Sequence, residues 1–131
     1  MDNKTMQGMI GKKKGMTHIW DAAGNRTPVT VIEVGPCPVI QVKTKEKDGY
    51  DAVQLGFGAQ KPHRLSKAEV GHCKKAGLEV PYRKLKEFRA DNGEAVKAGD
   101  VITAKMFEGV TFVDIVGITK GKGFAGVVRR S

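Results

Sequence analysis

The stretch that decides the fold is residues 39–57, which read VIQVKTKEKDGYDAVQLGF. Apolar and polar side chains alternate in its first half, which is typical of a half-buried strand. The inward face of this strand is predicted to carry Ile40, Val42 and Thr44. Asp48 and Gly49 then predict a tight turn, because glycine accepts the positive φ that hairpin turns require. Alternation resumes after the turn, at Val53, Leu55 and Phe57. The sequence therefore predicts a β-hairpin in the middle of the chain.

Strand-like runs flank this hairpin on both sides, because β-branched and aromatic residues recur between turn residues. The predicted strands are residues 16–20, 29–34, 83–88, 101–107 and 110–118. Ser66 followed by Glu69 is a capping-box pattern, which predicts one short helix over residues 67–76 that Gly77 ends. A further turn is predicted at residues 91–93. Many short strands with one helix favour a mainly β fold, a small β-barrel, over a βαβ fold.

The composition excludes several classes of protein. A chain of 131 residues with 40 % hydrophobic residues predicts a single domain with a modest core. No apolar run approaches the roughly 18 residues that a membrane span needs, and the first residues lack a secretory signal. Cys37 and Cys73 form neither a disulfide framework nor a zinc knuckle. They could pair with each other, but two ordinary thiols in a soluble, intracellular chain are favoured.

The positive charge is unevenly distributed. The net charge is +9, and residues 61–89 contribute nine basic and three acidic groups. Residues 120–131 add four basic groups and no acidic one, whereas residues 90–119 carry two basic and five acidic groups. Basic blocks beside a slightly acidic region are typical of surfaces that face a polyanion.

The motifs that could support catalysis lack the required context. Residues 121–126 match G-x-G-x-x-G, but a dinucleotide site needs this motif to open a helix in a βαβ unit, and no helix is predicted there. His63, His72 and Cys73 are too few for a zinc site, which takes four ligands. Ser66 does not lie in a nucleophile elbow. We therefore expect no catalytic residues, no metal, no cofactor and no small-molecule substrate.

Three basic segments favour RNA as the partner. Glycine-rich basic loops approach a phosphate backbone closely, and Arg and Phe side chains stack on bases or ribose. The candidate RNA-binding residues are Lys12, Lys13, Lys14, Lys61, Arg64, Lys67, Lys74, Lys75, Arg83, Lys120, Lys122, Phe124, Arg129 and Arg130.

Four segments together resemble a known family. They are residues 8–17 (GMIGKKKGMT), 28–34 (PVTVIEV), 67–72 (KAEVGH) and 117–130 (GITKGKGFAGVVRR). In this order they resemble bacterial large-subunit ribosomal protein three. The resemblance implies a translation-factor-like β-barrel that binds large-subunit ribosomal RNA beside neighbouring ribosomal proteins, on the cytoplasmic ribosome. It implies a role in early subunit assembly and no catalysis. The residues it implies at or near RNA are Lys12, Lys13, Lys120, Lys122, Phe124, Arg129 and Arg130.

The chain departs from the family in two places. Position 14 is usually apolar in the family and is Lys14 here. The family also continues past the position of Ser131, with a long basic loop and the strands that complete the barrel. The resemblance therefore leaves open whether the chain is a fragment and whether the barrel closes. The expected organisation is an N-terminal extension (residues 1–8) and a single barrel domain (residues 9–131) with a basic helical insertion near residues 61–89.

Two other classes of function stay open at this point. One is a small barrel enzyme of the flavin or isomerase type, which a bound cofactor would reveal. The other is a basic protein-interaction module that binds an acidic partner, which would show little preference for structured ribosomal RNA.

Overall fold

The structure, a computed structural model, describes residues 8–90 and 96–130. Its strands are β1 (Gly11–Trp20), β2 (Arg26–Val34), β3 (Cys37–Lys43), β4 (Ala52–Ala59), β5 (Tyr82–Arg89) and β6 (Val101–Ile102). Its α-helices are α1 (Lys45–Asp48), α2 (Lys67–Lys75) and α3 (Val127–Arg130), and short 3-10 helices span Pro62–Arg64 and Ala104–Phe107. The predicted mainly β class is confirmed.

The described strands form two separate antiparallel sheets. One contains β1 and β2, and the other has the strand order β5-β4-β3-β6. They do not join into a closed barrel within the described ranges, so the expected barrel is not confirmed. No helix in the described part of the chain is long and apolar enough to cross a membrane.

The central hairpin is confirmed, although its turn differs from the prediction. β3 pairs with β4 from Lys43 opposite Ala52 to Val39 opposite Leu55. The connection is the single helical turn α1, and Gly49 ends it in the left-handed conformation at φ 81°. Glycine adopts this conformation without the steric cost that a Cβ would add. The loop is therefore longer than the predicted tight turn at residues 48–49.

A β-bulge at Ile40 overturns the predicted facing of β3. The register shifts between Val39 and Gln41, so Ile40 is the extra residue. An extra residue reverses the alternation beyond it, which brings Val39 and Val42 to the same face. Val39 belongs to the first core cluster, and Val42 packs against it; the buried residues of this cluster are Cys37, Val39, Val53, Leu55 and Ala90. Ile40 points away from it and belongs to the second core cluster, with Cys73 and Ala76.

Helix α2 forms where the capping box predicts it and covers the second core cluster. The Ser66 hydroxyl accepts a hydrogen bond from the Glu69 backbone N–H at 3.3 Å, and the Glu69 carboxylate accepts one from the Ser66 N–H at 2.9 Å. The hydrogen bonds that the Ser66 N–H and then the Ser66 hydroxyl donate to the carboxylate lower the pKa of Glu69. Cys73 is the buried residue of the helix, and Gly77 follows the helix with φ 79°. Cys37 and Cys73 are free thiols in different clusters, and burial raises the pKa of Cys37.

A polar network joins β3, the hairpin loop and β5. The Lys43 ammonium group lies 2.8 Å from the Glu87 carboxylate and donates to the Tyr50 hydroxyl at 3.0 Å. The Tyr50 hydroxyl donates to Glu87 at 2.6 Å. The hydrogen bond to Glu87 and then that to Tyr50 raise the pKa of Lys43, and the bonds from Lys43 and then Tyr50 lower the pKa of Glu87. The network therefore fixes both side chains in their charged forms.

The predicted C-terminal strands are largely wrong. In the 101–107 segment only Val101–Ile102 forms a strand, and Ala104–Phe107 forms a 3-10 helix. Residues 110–118 form neither helix nor strand, and Phe112, Val116 and Ile118 are 89 %, 95 % and 103 % exposed. β-propensity measures how well a side chain packs on a sheet, and this segment has no strand partner among the described residues. The turn predicted at residues 91–93 lies outside the described residues.

Replacing Ser66 by alanine should destabilise the chain by about 1 kcal/mol, because one orphan N–H of α2 loses its acceptor. Urea unfolding followed by circular dichroism measures this change. Thr103 is a matched control, since it occupies an N-cap position without a side-chain cap bond. An equal loss in Ser66→Ala and Thr103→Ala would contradict the capping role.

Replacing Glu87 by glutamine should weaken the acid dependence of stability. The folded pKa of Glu87 lies below its ordinary value of 4.5, so its contribution is full above that value and is lost as the pH falls through the folded pKa. The variant should be less stable near pH 7, and this difference should shrink between about pH 5 and about pH 3. Urea midpoints across this range measure it. The control is Glu79→Gln, since Glu79 makes no hydrogen bond or ion pair within the described ranges; a constant difference for Glu87→Gln would overturn the prediction.

Candidate nucleic-acid interface

The first basic segment lies at the start of β1. The β1–β2 register shifts between Lys13 and Gly15, which makes Lys14 a bulged residue. Its ammonium group lies 2.6 Å from the Glu33 carboxylate, and this hydrogen bond lowers the pKa of Glu33. Lys12 and Lys13 are exposed and form no ion pair with any described residue. The cation that departs from the family pattern is thus the one whose charge is neutralised within the protein.

The second basic segment surrounds helix α2. Lys61 precedes the 3-10 helix Pro62–Arg64 and Arg64 is its last residue, whereas Arg83 lies near the start of β5. The remaining cations of this segment are Lys67, Lys74 and Lys75, on the helix itself. All six side chains are exposed. Cys73 is the buried residue of α2, whereas the lysines of the helix are exposed and remain available to a partner.

The third basic segment is the tail. Lys120, Lys122 and Phe124 lie in a stretch without regular secondary structure, and Phe124 is 93 % exposed. The chain then turns into α3, where the Gly126 carbonyl accepts hydrogen bonds from the N–H groups of Arg129 and Arg130. Both arginine side chains are exposed. The expectation that no helix follows the glycines is therefore wrong, although α3 is only one turn long and residues 110–120, directly before the motif, form no strand.

The three segments occupy different elements of the fold. No hydrogen bond or ion pair connects one segment to another within residues 8–90 and 96–130. The candidate cations therefore lie on separate elements of the fold. Such an arrangement fits the shape of a folded polyanion, which presents phosphates along many directions.

Three further exposed cations lie on β5 and were not predicted as RNA-binding residues: Lys84, Lys86 and Arg89. Lys84 pairs with Phe57, and Lys86 pairs with Leu55, at the edge of the larger sheet. Their alternation with Leu85 was a signal in the sequence. Lysine on an edge strand also discourages pairing with another chain, so these residues have a structural reason to be basic.

The residues considered for metal binding and catalysis are dispersed. His63 is exposed, whereas His72 lies 2.7 Å from the Gln54 side-chain oxygen, and Cys73 is buried. No group of three or more His, Cys, Asp or Glu residues that could hold a metal ion occurs in the described part of the chain. Ser66 is engaged in the capping box of α2.

Comparison with known proteins places these features in a family, although no family model matches the sequence. The chain is 53 % identical over 123 residues to large ribosomal subunit protein uL3 of Gloeobacter violaceus, which covers 94 % of the chain and 57 % of that protein. It is 51 % identical over 124 residues to the uL3 protein of Desulfitobacterium hafniense, which covers 95 % of the chain and 58 % of that protein. For the uL3 protein of a Roseiflexus species, the identity is 50 % over 125 residues, which covers 95 % of the chain and 59 % of that protein.

The chain thus spans less than two thirds of the length of these relatives. The aligned part includes nearly all of this chain, so the resemblance noted in the four sequence segments is confirmed. The chain belongs to the family of large ribosomal subunit protein uL3.

Proposed function

We propose that this chain is a structural constituent of the large ribosomal subunit, which binds ribosomal RNA and helps to organise subunit assembly without catalysing a reaction. One observation supports this proposal above the others. All fourteen candidate RNA-binding side chains are exposed, and of their cations only Lys14 forms an ion pair with a described residue. The positive charge of these surfaces is therefore free to interact with an external anion.

The proposed mechanism is electrostatic positioning. Lys and Arg side chains neutralise phosphates and release condensed counterions, and this release makes the affinity depend strongly on salt. Phosphate contacts fix orientation but carry no sequence information. Specificity then comes from the fit of the separate basic segments to one RNA tertiary arrangement. The partners in this proposal are large-subunit ribosomal RNA and neighbouring ribosomal proteins, on the cytoplasmic ribosome; membranes and small-molecule substrates have no role.

The proposal extends to the architecture. Residues 9–131 would form one translation-factor-like barrel domain with a basic helical insertion near residues 61–89, and residues 1–8 an extension. Contacts of the segment before β1 with the larger sheet support this organisation. The Ile10 carbonyl accepts hydrogen bonds from the Gly35 N–H and the Cys37 thiol, both at 3.5 Å, and Met9 packs against the first core cluster. The exposed apolar side chains of residues 110–118 are surface that closure of a barrel would bury.

Replacing Arg129 and Arg130 together by alanine should weaken binding to a large-subunit ribosomal RNA fragment. Loss of two phosphate contacts should also reduce the slope of log affinity against log salt by about two. Filter binding over a salt series, with transfer RNA as competitor, measures both quantities. Tight binding by the parent chain that survives the competitor is the expected result.

The matched control is the double variant Lys45→Ala with Lys47→Ala. It removes the same charge from α1, where Glu46 and Asp48 alternate with the lysines. An equal effect of the two double variants would mean that only total charge matters. Unchanged affinity and slope in the arginine variant would remove the tail from the proposed interface.

A further inference from the structure

The β1–β2 hairpin presents a face on which Lys13 is the one residue from the three basic segments. β1 and β2 are antiparallel, and residues opposite each other share a face of the ladder. The pairs on this face are Met16 with Thr30, His18 with Pro28, and Trp20 with Arg26. Alternation alone would place Lys13 on the other face. The bulge at Lys14 reverses the alternation, so Lys13, opposite Ile32, joins Met16, His18 and Trp20. We call this surface the hairpin face.

The aromatic and cationic side chains of the hairpin face are in direct contact with one another. The rings of His18 and Trp20 meet at 89° with centroids 5.7 Å apart. The Arg26 guanidinium group lies 3.2 Å from His18 Nδ1. Arginine has only donors, so Nδ1 accepts this hydrogen bond. Trp20 is 65 % exposed and Met16 68 % exposed. Ring surface next to a fixed guanidinium group is therefore open to solvent, beside a shallow depression that Met16, His18, Arg26 and Pro28 help to line.

The charges of the hairpin favour an anionic partner. Its two carboxylates are already used within the hairpin. Asp21 accepts hydrogen bonds from the backbone N–H groups of Ala23 and Asn25, and Glu33 pairs with Lys14. Lys13 and Arg26 form no ion pair with a described residue. They lie at opposite ends of the face, about 20 Å apart at roughly 3.4 Å per residue along β2.

Rings between two cations suit unpaired nucleotides better than other anions. Every base has a flat face that stacks on an aromatic ring, and the backbone supplies a phosphate at each step. A duplex is a poorer partner, because it keeps its base faces within its own stack. An apolar protein surface is also a poorer partner, because it would bury the two cations without opposite charges.

The geometry points to the hairpin face as a binding site for a single-stranded RNA segment, with a base stacked on Trp20 and phosphates at Arg26 and Lys13. This inference rests on the proposed function, because it takes RNA as the partner, and adds which RNA structure is recognised and where. Trp20 and Arg26 are outside the fourteen candidate residues.

Trp20 is the only tryptophan of the chain, so its fluorescence reports directly on the site. Titration of the full chain with a single-stranded oligouridylate should quench the emission to saturation. Trp20→Ala should weaken the binding of oligouridylate about tenfold, as measured by filter binding, because the stacking of a base on the ring is lost. Trp20→Phe should restore most of the affinity, since it keeps a ring. Arg26→Gln should reduce the salt slope by about one. The control is Ile19→Ala, an exposed position on the opposite face, which should bind within about twofold of the parent.

The outcomes separate this inference from the proposed function. If the parent binds the ribosomal RNA fragment but oligouridylate leaves the emission unchanged, the hairpin face does not bind single strands and the inference is overturned. It is also overturned if Trp20→Ala, Trp20→Phe and Arg26→Gln all bind oligouridylate with the affinity and the salt slope of the parent. Should Trp20→Ala fail to fold, the emission titration and Arg26→Gln decide. Failure of the parent to bind the ribosomal fragment, with oligouridylate still quenching Trp20, would overturn the proposed function and leave this site standing.

Discussion

The pairing of β3 with β4 supports the rest of the structure, because these two strands provide buried side chains to both faces of the larger sheet. Val39, Val53 and Leu55 are fully buried in the first core cluster, whereas Ile40 reaches the second through the bulge. Each such side chain contributes about 1.5–3 kcal/mol relative to an exposed one. The segment before β1 therefore packs on one face of the sheet, and α2 packs on the other. A slip in the register of β3 against β4 would displace both of these elements.

The same packing explains why the positive charge lies outside. The described core contains no buried polar or charged side chain, so every element turns its cations to solvent. Lys14 and Lys43 are exceptions, because each forms an ion pair with a carboxylate of the protein itself. The other described cations form no ion pair with a described residue, and those of the three basic segments lie on strands, on and beside α2, and in the tail. In the proposed function, these separate contacts position RNA elements relative to one another.

Local signals allowed the hairpin, α2 and β5 to be predicted, because turn residues, a capping box and alternation act over a few residues. The bulges at Ile40 and Lys14 could not be predicted, since each is set by what the neighbouring strand packs against. Residues 110–118 were assigned to a strand on propensity alone, without a partner to pair with. Exposure of the candidate cations was predictable, because Lys and Arg are seldom buried without a partner. The hairpin face could not be predicted from the sequence, because it depends on the register that the Lys14 bulge creates.

The central claim is that cations without an internal partner face ribosomal RNA. Lysine acylation followed by mass spectrometry, with and without a large-subunit ribosomal RNA fragment, tests it most directly. The account predicts that RNA protects Lys12, Lys13, Lys120 and Lys122, whereas Lys45 and Lys47 on α1 stay reactive. Equal protection of the α1 lysines, or no protection of the first four, would contradict the account.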